Sequence, residues 1–122
     1  TRPYEGIWEL LQELKNRNYK MAVVSNKPDG AVKVLAEKYF PGCFEVAIGD
    51  REGCNRKPAP DLVYIALEEL EATKEEAIYV GDSDVDLMTA MNAEIPCVSV
   101  TWGFRDREFL MFSVLLSLRL VF

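Results

Sequence analysis

The sequence predicts a single α/β domain in which a parallel sheet carries helices on both faces. Short apolar runs that suit buried strands alternate with segments whose apolar residues recur at helical spacing. Glycine and proline mark many of the boundaries between these segments. The chain has 122 residues, of which 49% are apolar, and this is enough for one hydrophobic core.

The predicted elements follow the order α-β-α-β-α-β-α-β-α. Helices are expected over residues 5–18, 31–40, about 61–71 and 82–93, and a last helix is expected to begin at Asp106. Strands are expected over residues 21–24, 44–48, 77–80 and 97–100, and the polar segment 25–30 is expected to turn the chain after the first of them.

Two local patterns refine this prediction. Thr73-x-x-Glu76 is typical of a capping box and predicts a short helical turn before the third strand. In the helix predicted over 82–93, the apolar residues are expected to face the core, and they are Val85, Leu87, Met88 and Met91.

Composition excludes several classes of function. The net charge of −6, without a basic patch, argues against a nucleic-acid partner. The absence of histidine excludes His-based triads and zinc sites built on histidine. The three cysteines are odd in number and form no C-x-x-C pair, which predicts reduced thiols in a cytoplasmic protein. We expect no signal peptide, because the start of the chain, residues 1–5, has no apolar h-region. We expect no membrane span, because no apolar stretch reaches about 20 residues.

Polar residues collect where the predicted strands end. Ser25, Asp50, Asp82 and Thr101 each follow one strand, and Lys57 lies in the loop after the second. In an open parallel sheet, ligands bind beyond the carboxyl ends of the strands. The shared placement of these residues therefore predicts one binding site at that edge.

Asp82, Asp84 and Asp86 concentrate negative charge beside a predicted helix start. Carboxylate oxygens suit Mg²⁺, so Asp82 at the strand end and Asp86 one turn later are the candidate metal ligands. Helix capping is the alternative interpretation, because aspartate is favoured at helix N-termini. A calcium loop is excluded, since Leu87 and Ala93 stand where it requires glycine and glutamate.

Ser25, Asn26 and Lys57 are the candidate phosphate-binding residues. Ser25 and Asn26 offer a hydroxyl, an amide and backbone N–H groups before a helix, a combination that binds anions. Lys57 precedes Pro58 in a stiff loop and offers a fixed positive charge. The alternatives are an ordinary N-cap for Ser25 and a solvated surface residue for Lys57, and the second is the commoner case for a single lysine.

Three of these segments resemble motifs of the haloacid dehalogenase superfamily, and among its members the phosphoglycolate phosphatases. The segments are Val24-Ser25-Asn26-Lys27, Arg56-Lys57-Pro58-Ala59-Pro60-Asp61 and Gly81-Asp82-Ser83-Asp84-Val85-Asp86, and the likeness runs from about Tyr4 to Leu110. The resemblance implies a Rossmann-like core and a Mg²⁺-dependent phosphomonoester hydrolase. It gives Ser25 and Lys57 catalytic contacts with the phosphoryl group, places Asn26 nearby, and assigns Mg²⁺ to Asp82 and Asp86.

The sequence departs from this family in three places. The D-x-D-G-T motif, which supplies the nucleophilic aspartate at the end of a central first strand, does not occur, so we expect the cap domain and the first strand to be absent. Glu94 stands where the family favours glycine, which predicts a strained left-handed residue. The likeness also stops near residue 110, which divides the chain into a partial core, 1–110, and an apolar tail, 111–122.

Two explanations for the tail stay open. The reading frame is shifted or truncated, or the tail enters the sheet where the first strand is missing.

The functional prediction is phosphomonoester hydrolysis by family, with a small phosphorylated metabolite as partner. This chain alone is expected to be inactive, because it lacks the nucleophile. The alternative is a non-enzymatic phosphate- or Mg²⁺-binding or regulatory module. A response-regulator receiver fits less well, because receivers carry their acidic pair early in the chain, whereas the acidic cluster here comes late. Substrate identity and oligomeric state are not fixed by the sequence.

Overall fold

The computed structural model describes residues 5–81, 84–99 and 112–117. The helices are α1 (Glu5–Asn16), α2 (Asp29–Tyr39), α3 (Asp61–Leu70) and α4 (Asp84–Ala93), and a short 3₁₀ turn covers Lys74–Glu76. The strands are β1 (Lys20–Pro28), β2 (Val46–Asp50), β3 (Ala77–Gly81), β4 (Cys97–Ser99) and β5 (Phe112–Ser117). Among these described helices, none is both long and apolar enough to cross a membrane.

The five strands form one sheet in the order β2-β1-β5-β3-β4. β1 pairs with β2 and β3 pairs with β4 in parallel, as the alternation of helices and strands predicts. β5 lies between β1 and β3 and runs antiparallel to both. The α/β prediction is therefore confirmed, with one difference: the sheet is mixed because its central strand is reversed.

The position of β5 confirms that the apolar tail enters the sheet at the gap. Its register sets Ser117 opposite Lys20 and Phe112 opposite Ser25 on the β1 side, and Ser117 opposite Ala77 on the β3 side. An antiparallel strand in this slot pairs its backbone with both neighbours, so neither β1 nor β3 keeps an open edge there.

The sheet separates two hydrophobic clusters. One contains Leu62 and Val63 of α3 and Ala90 of α4, and Leu115 of β5 joins it. The other contains Leu11 of α1 and Val32 of α2, and Val114 of β5 joins it. Successive residues of β5 therefore enter opposite clusters, as a strand buried on both faces requires.

The prediction for the buried face of α4 was wrong. Val85, Leu87, Met88 and Met91 are 41–68% exposed. The buried residues of this helix are Asp86, Thr89, Ala90 and Ala93. They recur at i, i+3, i+4 and i+7 and are small or polar, so α4 approaches the sheet closely and its large apolar side chains point outward.

Element boundaries differ most at the end of β1. The strand continues through Ser25 to Pro28, where an irregular register pairs Pro28 with Asp50. Ser25 and Asn26 therefore lie on the strand and not in a turn. The predicted helix at Asp106 and the first residues of the helix predicted over 82–93 lie outside the described residues.

Glu94 adopts the left-handed conformation that its position predicts. Its φ is 61°, and its carboxylate accepts a hydrogen bond from Lys74 Nζ at 2.8 Å. The capping box is also confirmed, with Thr73 N–H donating to Glu76 Oε1 at 3.2 Å.

Glu94→Gly is expected to raise the free energy of unfolding by about 0.5–1 kcal/mol. Left-handed backbone costs a non-glycine residue roughly 1–2 kcal/mol, and losing a fully exposed ion pair offsets only part of that gain. Urea denaturation measures the change. Lys74→Met serves as control, because it removes the ion pair and keeps the strain, and an equal gain in that variant would contradict the prediction.

Candidate active site

Lys57 and Asp86 form a buried ion pair at the carboxyl edge of the sheet. Lys57 Nζ donates to Asp86 Oδ1 at 2.9 Å, and the two side chains are only 5% and 2% exposed. Lysine and aspartate are almost never buried to this degree unless they are paired. The pairing brings together two candidate residues that stand 29 positions apart in the sequence.

Asn26 fixes the backbone of Lys57. Lys57 N–H donates to Asn26 Oδ1 at 2.8 Å, and Asn26 Nδ2 donates to the Lys57 carbonyl at 3.2 Å. Asn92, near the end of α4, donates from Nδ2 to the Pro58 carbonyl at 2.8 Å. The Lys57 loop is thus held by β1 on one side and along α4 on the other, which limits the positions that the ammonium can reach.

Ser25 is fully buried beside this loop. Its Oγ accepts a hydrogen bond from Lys27 N–H at 3.1 Å. A hydroxyl that accepts can still donate its own hydrogen. Ser25 lies next to Asn26 in the chain and opposite Phe112 in the sheet register.

Gly81 makes the close approach of Asp86 possible. A Cβ placed on Gly81 would lie 2.3 Å from Asp86 Cβ and 2.5 Å from its Oδ2. No side chain fits in that space, so glycine at the end of β3 allows the first turn of α4 to set the carboxylate against the strand. The sequence pattern contains this glycine, but spacing alone does not reveal its contact with Asp86.

The structure describes two of the three aspartates in the acidic cluster 82–86. Asp86 is buried, Asp84 is exposed at the start of α4, and Asp82 and Thr101 lie outside the described residues. Within the described ranges, no group of three aspartate, glutamate, cysteine or histidine side chains is placed to hold a metal ion. Mg²⁺ keeps several waters and needs only one or two protein carboxylates, so a fixed oxygen donor such as Asp86 fits it.

Asp50, which was expected at the same edge, pairs locally. Its Oδ2 lies 2.9 Å from Arg56 Nη2, and the two residues bracket the loop that leads to Lys57. This pair shapes the loop without reaching the Lys57–Asp86 pair in any contact that the structure gives.

Asp29 forms a second charged cluster that sequence reasoning missed. Its carboxylate accepts hydrogen bonds from Lys33 Nζ at 2.5 Å, Arg51 Nη2 at 2.8 Å and Gly49 N–H at 2.9 Å. Burial alone would raise the pKa of Asp29, but the hydrogen bonds from Lys33, Gly49 and Arg51 outweigh it and hold the pKa well below its usual range. The cluster ties the start of α2 to the end of β2.

Asp29→Asn is expected to lower stability at neutral pH, with a difference from wild type that shrinks in acid. Because the folded-state pKa is depressed, the contribution of Asp29 is present above the ordinary aspartate pKa of 3.8 and is lost as pH falls toward the folded-state value. Urea denaturation between about pH 7 and pH 3 measures it. Glu13→Gln is the control, because it removes an exposed pair with Arg17 and should change little; a constant Asp29→Asn difference at all pH values would contradict the prediction.

Cys43 and Cys97 are poorly suited to nucleophilic chemistry. Burial, and then the negative charge of Asp86, raises the pKa of the Cys97 thiol. Burial likewise raises the pKa of Cys43. A thiol with a raised pKa stays protonated at neutral pH and is a weak nucleophile.

Comparison with known proteins places this geometry in a family context. A family model described as haloacid dehalogenase-like hydrolase matches residues 1–100. The chain is 37% identical over 108 residues to the pyrophosphatase PpaX of Listeria welshimeri, a match that covers 88% of the chain and 50% of that protein. It is 36% identical over 103 residues to a phosphoglycolate phosphatase of Rhodobacter capsulatus, covering 84% of the chain and 46% of that protein.

A solved structure gives the same result. A crystal structure from Lactobacillus delbrueckii subsp. bulgaricus, described as a presumed phosphoglycolate phosphatase, superposes with a TM-score of 0.78 at 45% identity. The match covers 86% of this chain and 44% of that one. The chain thus spans about half the length of the curated relatives it matches.

Proposed function

Because the chain belongs to the haloacid dehalogenase-like hydrolases, we propose that it carries the phosphate- and magnesium-binding part of a phosphatase site. The substrate is a small phosphorylated metabolite, with 2-phosphoglycolate as the first candidate, since relatives at 36–37% identity are named pyrophosphatase and phosphoglycolate phosphatase. The buried Lys57–Asp86 pair, fixed at the carboxyl edge of the sheet, is the observation on which this proposal depends.

Each residue has a distinct role in the proposed site. Lys57 attracts a phosphoryl oxygen, because its positively charged ammonium is held in place by Asp86. Ser25 donates its hydroxyl hydrogen to another phosphoryl oxygen. Asn26, assigned to phosphate binding from the sequence, contributes by holding the Lys57 backbone through its two hydrogen bonds.

Asp82 and Asp86 are the proposed magnesium ligands, with Asp86 acting directly or through water. Its Oδ1 faces Lys57, and its Oδ2 lies over Gly81. A bound Mg²⁺ would supply charge neutralisation for the phosphoryl oxygens. Asp86 orients the Lys57 ammonium as well, so one carboxylate positions both sources of positive charge.

The isolated chain is proposed to release negligible phosphate. In the family resemblance the nucleophile is an aspartate at the end of the central strand, whereas β5 contains no acidic residue over Phe112–Ser117. Without that carboxylate there is no covalent route through an aspartyl-phosphate. The chain therefore binds phosphate without hydrolysing its esters.

Pure protein with 2-phosphoglycolate and Mg²⁺ tests this proposal. We expect inorganic phosphate to bind in calorimetry, Lys57→Met to abolish the binding, and phosphate release to stay at background. Lys38→Met is the matched control, since Lys38 lies over the Tyr39 ring on α2. Mg²⁺-dependent release that disappears in Asp82→Ala would overturn the proposed inactivity, and binding unaffected by Lys57→Met would overturn the assignment of the site.

A second candidate function is a non-enzymatic phosphate- or Mg²⁺-binding module. The observation in its favour is β5 itself, which fills the central slot and pairs with the strands on both sides. Strong phosphate binding in the absence of Mg²⁺, with no activity in any assembly, would favour this module. The three unpaired thiols support a cytoplasmic location within either proposal.

A further inference from the structure

The centre of the sheet differs from the strands around it. β1, β2, β3 and β4 all run in one direction, while β5 is the one reversed strand among those described, and it comes last in the sequence. Mixed pairing at the middle of an otherwise parallel sheet departs from the preference for uniform sheets. We propose that the slot between β1 and β3 is an acceptor site for a parallel strand from a second polypeptide segment, and that β5 is its displaceable occupant.

The two walls of the slot define what it accepts. On one side, β1 offers backbone partners from Lys20 to Ser25, and on the other β3 offers partners from Ala77 to Val80. One face opens onto the cluster that Leu115 joins, and the other onto the cluster that Val114 joins. The slot therefore takes a strand of about six residues that is apolar on both faces.

β5 meets these requirements only in part. Two of its six residues are serines, and Ser117 is only 1% exposed. In β1, by contrast, the four residues Met21–Val24 are all apolar and buried. A serine removes less apolar surface from water than valine or isoleucine does, so a wholly apolar β-branched strand gains more from the same slot.

The relatives indicate where such a strand comes from. The match with the PpaX relative covers 88% of this chain but only 50% of that protein. The relative therefore has about as much chain outside the match as inside it. We assign the occupant to that other half. Running parallel to its neighbours, it would end between Ser25 and Gly81, beside the Lys57–Asp86 pair. The identity of the strand rests on the proposed function, but the displacement of β5 by another strand does not.

Hydrogen–deuterium exchange of the full chain tests the displacement of β5 directly. The probe is a synthetic peptide with two lysines, five alternating valine and isoleucine residues, and Asp-Leu-Asp-Gly-Thr at its carboxyl end; a scrambled peptide is the control. We expect amides 112–117 to exchange at least about tenfold faster with the probe, while amides 20–25 and 77–81 stay protected. Unchanged protection of 112–117, with new protection in β2 or β4, would mean addition at a sheet edge and would overturn the proposal.

A pair of variants separates displacement from general loosening. Leu115→Ala weakens β5, and Leu62→Ala removes a side chain from the same cluster without touching the slot. We expect the probe to bind at least about tenfold more tightly to Leu115→Ala than to wild type and unchanged to Leu62→Ala, with circular dichroism reporting the fold. Equal changes in both variants would contradict a competing strand.

The outcome of these binding measurements does not depend on whether the complex is catalytically active. If the probe displaces β5 but the complex releases no phosphate from 2-phosphoglycolate, the slot is supported and the proposed phosphatase function fails. If phosphate binds in a Lys57-dependent manner but β5 keeps its protection, the phosphate site is supported and the acceptor slot is overturned.

Discussion

Asp86→Leu is expected to lower the free energy of unfolding by about 3–5 kcal/mol and to weaken phosphate binding. The substitution removes the 2.9 Å ion-pair partner of a buried ammonium, and breaking a buried ion pair on one side costs far more than losing a surface pair. Urea denaturation followed by circular dichroism measures the stability. The binding loss is measured by calorimetry with inorganic phosphate.

The matched control removes both charges. In Lys57→Met/Asp86→Leu neither charge remains buried, so this variant should regain most of the stability lost in Asp86→Leu, because apolar replacements of a buried ion pair are often neutral or better. It should still fail to bind phosphate. If the double variant loses more stability than the two single variants lose in sum, Lys57 and Asp86 are not the coupled pair that the geometry indicates.

Gly81→Ala is expected to cost about 1–3 kcal/mol and to separate Asp86 from Lys57. The new Cβ would lie 2.3 Å from Asp86 Cβ, which belongs to the base of the side chain, so the first turn of α4 must move away from β3. Phosphate affinity should fall with stability. Both are measured as for Asp86→Leu.

Gly30→Ala is the control, because the surroundings of Gly30 can accommodate a Cβ. A Cβ on Gly30 meets nothing within 4 Å, and the residue lies in the first turn of α2. Alanine there should stabilise the protein by about 0.5–1 kcal/mol. Equal effects of the two substitutions would show that the close approach at Gly81 does not matter.

Sequence patterns predicted most of the fold because period and order are local properties. The alternation of apolar runs and helical stripes was enough for four helices and for parallel pairing on both sides of the centre. The face of α4 was mispredicted because its buried side carries Asp86 and Thr89, and a hydrophobic pattern assigns such residues to solvent. The ion pair of Asp86, which explains its burial, is a contact across 29 residues that no local pattern contains.

The candidate site was predictable to a similar extent. Residue types at strand ends predicted a collection of polar side chains at one edge, and Asn26, Lys57 and Asp86 do lie in contact through their side chains or backbone. Asp50 pairs with Arg56 instead, and Asp82 and Thr101 lie outside the described residues. The partners were not predictable: Asn26 binds the Lys57 backbone, Asn92 binds the Pro58 carbonyl, and Asp29 forms a separate cluster. Each of these contacts depends on tertiary geometry. The entry of the tail was one of two open explanations, suggested by the gap in the sheet, and nothing in an apolar run indicates its direction.

The place of β5 also affects how the chain folds as it is synthesised. Its pairs with β1, such as Ser117 with Lys20, join residues from nearly opposite ends of the chain. The middle of the sheet therefore closes only after the segment that carries β5 has been synthesised, and contacts of such high sequence separation form slowly. Until then the inner edges of β1 and β3 are open to pairing with other nascent chains. We therefore expect aggregation to depend on how early β5 pairs with its two neighbours.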